Sequence, residues 1–159
     1  MSIQRGREYL AKFGRDGDVI EFTVSSATVE LAAKALGCEG ALIAKTLSFY
    51  DGDSAMLVIA AGDARVDNKK FKAYFGFKAR MLSPEDVERF TGHAIGGVCP
   101  FGLAQPIPVY LDESLRRFEF VYPAVGSSNS AIKLTPDELF TISAAKDWVD
   151  VCKTPESDA

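Results

Sequence analysis

The sequence predicts an α/β fold: a curved, mixed, mostly antiparallel sheet, barrel-like, with helices packed around it. Three observations predict it. Residues 42–50 and 55–61 are two strand-like runs around Asp51-Gly52-Asp53-Ser54, a strong hairpin signature. Met56-Leu57-Val58-Ile59-Ala60 is apolar at every position, as expected of a strand covered on both faces. Strand-like segments outnumber helical ones, and the connections between them are of mixed type.

The elements follow in order. Residues 3–13 read as a short amphipathic helix with Ile3, Leu10 and Phe13 toward the core. Gly14 and the polar 15–18 segment end it. Residues 19–24 alternate as a strand. Ser25 and Ser26 are cap candidates for a helix over 27–36, where Val29, Ala32, Ala33 and Leu36 form an apolar stripe and Gly37 supplies the stop. After the hairpin, 67–75 reads as a second helix. Ser83-Pro84-Glu85-Asp86 opens a third helix through Phe90, with a cap, a proline at the first position and early acids. Residues 92–108, rich in Gly and Pro, form a loop. Strands follow at 108–111 and 118–122 around a helical turn at 114–117. A polar loop spans 126–130, then a strand at 131–134. Thr135-Pro136-Asp137-Glu138 caps a last helix through Ile142.

The chain has 159 residues, which suits one domain over 1–153 with a frayed tail over 154–159. Apolar residues make up 47% and charged residues 25%, an ordinary composition for a water-soluble protein. No apolar run could span a bilayer, and no secretory core follows the N-terminus, so a cytoplasmic protein without membrane partners is expected. The three cysteines, Cys38, Cys99 and Cys152, are far apart, and His93 is the one histidine. That argues against a Cys/His zinc site, a Ser-His-Asp triad and a disulfide framework.

The formal net charge of −4 argues against a general nucleic-acid coat protein. The charge is unevenly spread. Five of the 18 basic residues, Lys69, Lys70, Lys72, Lys78 and Arg80, fall within 69–80, a stretch without a single acid. Such a patch suits phosphates, although a solvated helix face would look the same.

Three features are left once the core is assigned. In Ile43-Ala44-Lys45-Thr46-Leu47-Ser48-Phe49, alternation puts Lys45 on the face of Ile43, Leu47 and Phe49. An ammonium there is costly unless an anion or a polar cavity receives it, or the side chain snorkels to the sheet edge. Gly96-Gly97-Val98-Cys99-Pro100-Phe101-Gly102 lets the backbone approach a ligand closely and offers N–H groups to an anion or developing oxyanion; a plain tight turn is the alternative. Gly126-Ser127-Ser128-Asn129-Ser130 is either a site loop or a solvated hairpin. Cys99 as a nucleophile with His93 as its base lacks an evident third group to orient the pair.

These segments, together with Thr28-Val29-Glu30-Leu31-Ala32-Ala33-Lys34-Ala35-Leu36-Gly37, resemble the YbaK family. That family includes the editing domain inserted in bacterial prolyl-tRNA synthetases and its free-standing relatives. The motifs occur in the family's order over roughly 27–142. The strand with the Gly-x-x-x-Pro loop is fairly specific as a pair, and neither is specific alone.

The resemblance implies a hydrolase that cleaves the ester of a mischarged aminoacyl-tRNA carrying a small residue such as cysteine or alanine, with tRNA(Pro) a candidate carrier, and without metal or organic cofactor. It implies catalytic roles for Lys45 and Gly97. It implies that Gly96, Val98, Cys99 and Pro100 hold the aminoacyl group, and that Gly126, Ser127, Ser128 and Asn129 shape its pocket. The late loop departs from the Gly-Lys-Arg-Gly or histidine-bearing forms of some relatives, which bears on amino-acid choice. The basic patch would then meet the tRNA backbone, and an aminoacyl-tRNA synthetase is a second implied partner. Two other functions fit the residues: a non-catalytic tRNA- or synthetase-binding module, and a hydrolase of a small free acyl ester. An aminoacyl ester is already activated, so positioning and oxyanion stabilisation can suffice without a triad.

Overall fold

The computed structural model describes residues 2–155. The 154–159 tail of the sequence reading therefore lies outside the described residues beyond Pro155. Five helices surround a curled, half-barrel sheet. The central hairpin is β2 (Ile43–Asp51) and β3 (Ser54–Ala61), paired antiparallel from Ala44↔Ala61 to Asp51↔Ser54. β5 (Val109–Asp112) joins β3 in parallel, and β8 (Asp147–Val149) joins β5 in parallel. On the other side β6 (Tyr122–Pro123) runs parallel to the start of β2. Two antiparallel ribbons stand apart: β1 (Ile20–Glu21) with β7 (Ser130–Ala131), and β4 (Arg65–Val66) with β9 (Cys152–Lys153). The sheet is mixed as expected. Its parallel share comes from the short flanking strands.

β3 lies in the middle of the sheet, and every residue from Ala55 to Ala61 is at most 1% exposed. Burial on both faces explains why it reads as an unbroken apolar run. Local chemistry sets the helix ends. α2 (Val29–Leu36) starts at Thr28, whose side chain accepts from the Leu31 amide, and stops at Gly37 in the left-handed region, φ 70°. α3 (Asn68–Phe75) is capped by Asp67, and Phe71 packs against Phe49 with ring centroids 4.8 Å apart. α4 (Pro84–Thr91) is capped by Ser83, and α5 (Pro136–Ile142) by a reciprocal Thr135–Glu138 box. α1 (Ser2–Ala11) stops short of Phe13, which is 42% exposed instead of buried.

Short strands depart from the sequence reading. The 118–122 stretch forms a strand only at its end, and the neighbouring bridge is Val121↔Leu134. β4, β8 and β9 were not anticipated, because two or three residues cannot display an alternation. Trp148 of β8 is held from outside by stacking on Phe140, 5.5 Å between centroids. Among the described residues no helix is long and apolar enough to cross a membrane.

Candidate functional site

Among the described residues, the outer edge of β2 is covered in two places. β6 covers Ile43 and Ala44, and the 80–82 segment covers Ser48 to Tyr50 through Leu82 N–H to Ser48 O (3.1 Å) and Tyr50 N–H to Arg80 O (2.9 Å). Between them opens a cavity of about 260 Å³. Its walls are β2, the start of α2, the Gly96 loop, Leu82 and Val87, and the 122–131 segment. Most of the wall is aliphatic. Met81 and Ile95 at the wall are 57% and 62% exposed.

Lys45 lines this cavity and is half-buried. Its ammonium donates to the Ala64 carbonyl and, at 3.4 Å, to the Gly62 carbonyl. Burial pulls its pKa below the usual lysine value, and the nearby acidic groups Asp63 and Glu30 oppose that shift. The two carbonyls accept from the ammonium without neutralising it, and Asp63 and Glu30 lie near enough to act on its charge. Asp63 between the two carbonyls is clamped by Arg117, which donates through two nitrogens at 3.1 and 2.5 Å and holds the carboxyl below its usual range.

The glycine loop divides in two. Gly96 and Val98 line the cavity. The Gly97 backbone is buried directly against the late loop: a Cβ there would sit 2.6 Å from the Ser127 amide nitrogen. Pro100 does not reach the cavity and instead lines a separate groove with Arg5 and Gly102. Cys99 and His93 are fully buried behind the loop, with Cys99 Sγ 3.5 Å from His93 Nε2. His93 Nε2 lies 2.7 Å from the Phe101 carbonyl, so that nitrogen carries the proton. Burial lowers the His93 pKa and pushes the Cys99 thiol up to about 12. The pair is a packed structural contact with an inert thiol. Cys152 is also buried and pushed up to about 12. Thiol labelling of the native protein near neutral pH is therefore expected at Cys38 alone, read by mass spectrometry; adducts at Cys99 would contradict this packing.

The late loop stands one layer behind the cavity. Ser26 N–H donates to Ser128 O (2.6 Å), Phe22 N–H to Asn129 O (2.7 Å), and Asn129 Nδ2 to Phe22 O (3.0 Å). Ser127 Oγ donates to Asn129 Oδ1 (2.9 Å). Gly126 is buried, and none of Gly126, Ser127, Ser128 and Asn129 lines the cavity, whereas Ser130 and Ala131 do. These bonds hold the 26–29 wall in place. Of the basic patch, Lys69, Lys72, Lys78 and Arg80 are exposed. Lys70 is tied to Asp150 (3.1 Å), and Arg80 lies 4.4 Å over the Tyr50 ring, next to Met81 at the wall. Sequence reading missed Ser26, Thr46, Ser48 and Tyr122 as lining residues. A signal existed for two of them: Ala44, Thr46 and Ser48 make the second face of β2 small and polar. Among the described residues no group of three His, Cys, Asp or Glu side chains converges as a metal site would require.

A profile of the aminoacyl-tRNA editing domain matches residues 23–142. The chain belongs to the aminoacyl-tRNA editing domain family. The matched span contains the whole cavity wall. The uncharacterized protein YwhH of Bacillus subtilis (strain 168) is 57% identical over 154 residues, covering 96% of this chain and 98% of that protein. The proline–tRNA ligase of Shouchella clausii (strain KSM-K16) is 30% identical over 129 residues, 79% of this chain but 22% of the ligase. The chain thus corresponds to about a fifth of such a ligase. A solved structure of a candidate trans-editing enzyme for prolyl tRNA synthetase superposes with a TM-score of 0.86 at 35% identity, covering 96% of this chain and 97% of the other.

Proposed function

We propose that this editing domain is an aminoacyl-tRNA deacylase that works in trans, in the cytoplasm, on tRNAs carrying the wrong small amino acid. The observation that carries the reading is the meeting of Lys45 with Gly96 and Val98 in one small, largely aliphatic cavity at the open edge of β2. Membership of the editing family supports it, as does the near-complete overlap with a free-standing candidate trans-editing enzyme.

In this reading the aminoacyl group enters the cavity and the terminal ribose stays at its mouth. Water attacks the ester carbonyl carbon, the bond to the ribose oxygen breaks, and that oxygen leaves with a proton as a free hydroxyl. The charge developing on the carbonyl oxygen is met by the Lys45 field and by loop N–H groups. An activated ester asks mainly for positioning, which agrees with the inert Cys99. Size alone separates residues by about 1–3 kcal/mol per methylene, which is why a second hydrolytic sieve is useful.

The exposed lysines Lys69, Lys72 and Lys78 are assigned to the tRNA backbone. Reversing all three to Glu is expected to weaken tRNA binding and flatten the salt dependence by roughly one unit of slope per lost phosphate contact. Filter binding over a salt series checks this; an unchanged slope removes the patch from the interface. A pure binding module would retain charged tRNA without releasing amino acid, so a deacylation assay separates the two readings.

A further inference from the structure

Three buried side-chain atoms among the described residues have no hydrogen-bond partner: Ser26 Oγ, Thr46 Oγ1 and His93 Nδ1. Ser26 and Thr46 line the same cavity. Ser26 is 8% exposed. Buried polar groups in folded proteins are normally paired, so two orphans in one cavity wall mark a place where a ligand completes the set. Ser48 and Tyr122 also bring hydroxyls to the wall, while two further wall hydroxyls are engaged in the fold. Thr28 Oγ1 accepts from Leu31 N–H (3.1 Å), and Ser130 Oγ accepts from Val125 N–H (3.2 Å) and donates to Ser127 O (3.3 Å). Ser26 and Thr46 come from different elements, the segment before α2 and strand β2, so a ligand seated in the cavity has one on each wall.

We infer that the cavity selects an aminoacyl group whose side chain carries a hydroxyl, seryl or threonyl, and that Ser26 and Thr46 determine this choice. The inference rests on the deacylase reading above. The ester, the α-amino group and the ribose are common to every charged tRNA, and Lys45, Gly96 and Val98 line the cavity for them. What distinguishes substrates is the side chain, and most of the wall that could meet it is aliphatic. An alanyl methyl would seal both hydroxyls from water with no partner. A side-chain hydroxyl can donate to one and accept from the other. A thiol is weak in both roles, so cysteinyl gains little. A site built to bond a substrate hydroxyl discriminates far better than one that measures size alone.

The test uses one tRNA transcript charged separately with serine, threonine, alanine or cysteine. The wild-type protein is expected to show a kcat/KM for the seryl or threonyl ester at least about tenfold above the alanyl and cysteinyl esters. Thr46→Val, of nearly the same shape, and Ser26→Ala are expected to collapse that ratio toward one, and Thr46→Ser to keep it. A wild-type preference for alanyl or cysteinyl overturns the inference. So does an equal slowing of all four esters in the variants, which would assign the hydroxyls to the common part of the substrate. If the folded wild type cleaves none of the four, the deacylase reading itself falls.

Discussion

Lys45→Ala is expected to lower the kcat/KM of deacylation by about 10³-fold or more while the fold persists, because the substitution removes the one cation among the cavity-lining residues. Thermal unfolding should change by only a few degrees. The variant loses bonds to two carbonyls but also loses the cost of desolvating an ammonium. Full activity in the variant would remove Lys45 from the site. The pH dependence separates charge from packing. Burial is the largest influence on Lys45 and places its pKa below the usual lysine value. Below that lowered pKa the folded state carries the penalty of a buried charge. The penalty is relieved as pH rises toward the lysine range of the unfolded chain, about 10.4, so this residue contributes stability that increases with pH. Activity should run in the opposite direction and fall as the amine is neutralised. The Lys45→Ala variant should lose that alkaline change in stability, which urea unfolding over a pH series can read.

Gly97→Ala is expected to be the most damaging single methyl group in the site. Its Cβ would lie 2.6 Å from the Ser127 amide nitrogen, 2.7 Å from Ser127 Cα and 2.8 Å from the Gly126 carbonyl carbon. All three are backbone atoms, so no side chain can swing aside. The loop must shift, carrying Gly96 and Val98 out of the cavity wall and loosening the bonds that tie 126–129 to the 22–26 segment. A loss of more than about 2 kcal/mol in stability is expected, with a fall of roughly 100-fold in deacylation. Gly17→Ala is the control, since nothing lies within 4 Å of the Cβ it would add. Equal behaviour of the two variants would show that the Gly97 approach carries no weight.

Much of this architecture was legible beforehand. The β2–β3 hairpin, the caps at Ser83 and Thr135 and the stop at Gly37 each depend on neighbours within a few residues, so local sequence contains the whole cause. The cap of α2, expected at Ser25 or Ser26, falls at Thr28 instead, because the helix starts at Val29 and not at Ala27. Lys45 was legible as a charge out of place on an apolar strand face. Thr46 showed only as part of the small, polar second face of β2, and Ser26 only as a cap candidate, because a hydroxyl in sequence gives no hint of whether a partner reaches it. Pro100 and Cys99 were site residues by the family resemblance. The loop turns after Val98, sending them to a second groove and into the core.

The sequence by itself determined the hairpin, the helix ends, the misplaced lysine and the acid-free basic stretch, because each is a property of residues close along the chain. Tertiary structure alone decided the rest. It left the edge of β2 open between two covering segments, turned Ser26 and Thr46 into the gap, and set the 126–129 loop behind the wall. Those outcomes depend on which distant segments pack together, and the pairing of surfaces far apart in sequence is fixed by the fit of the whole core and by no single stretch of it.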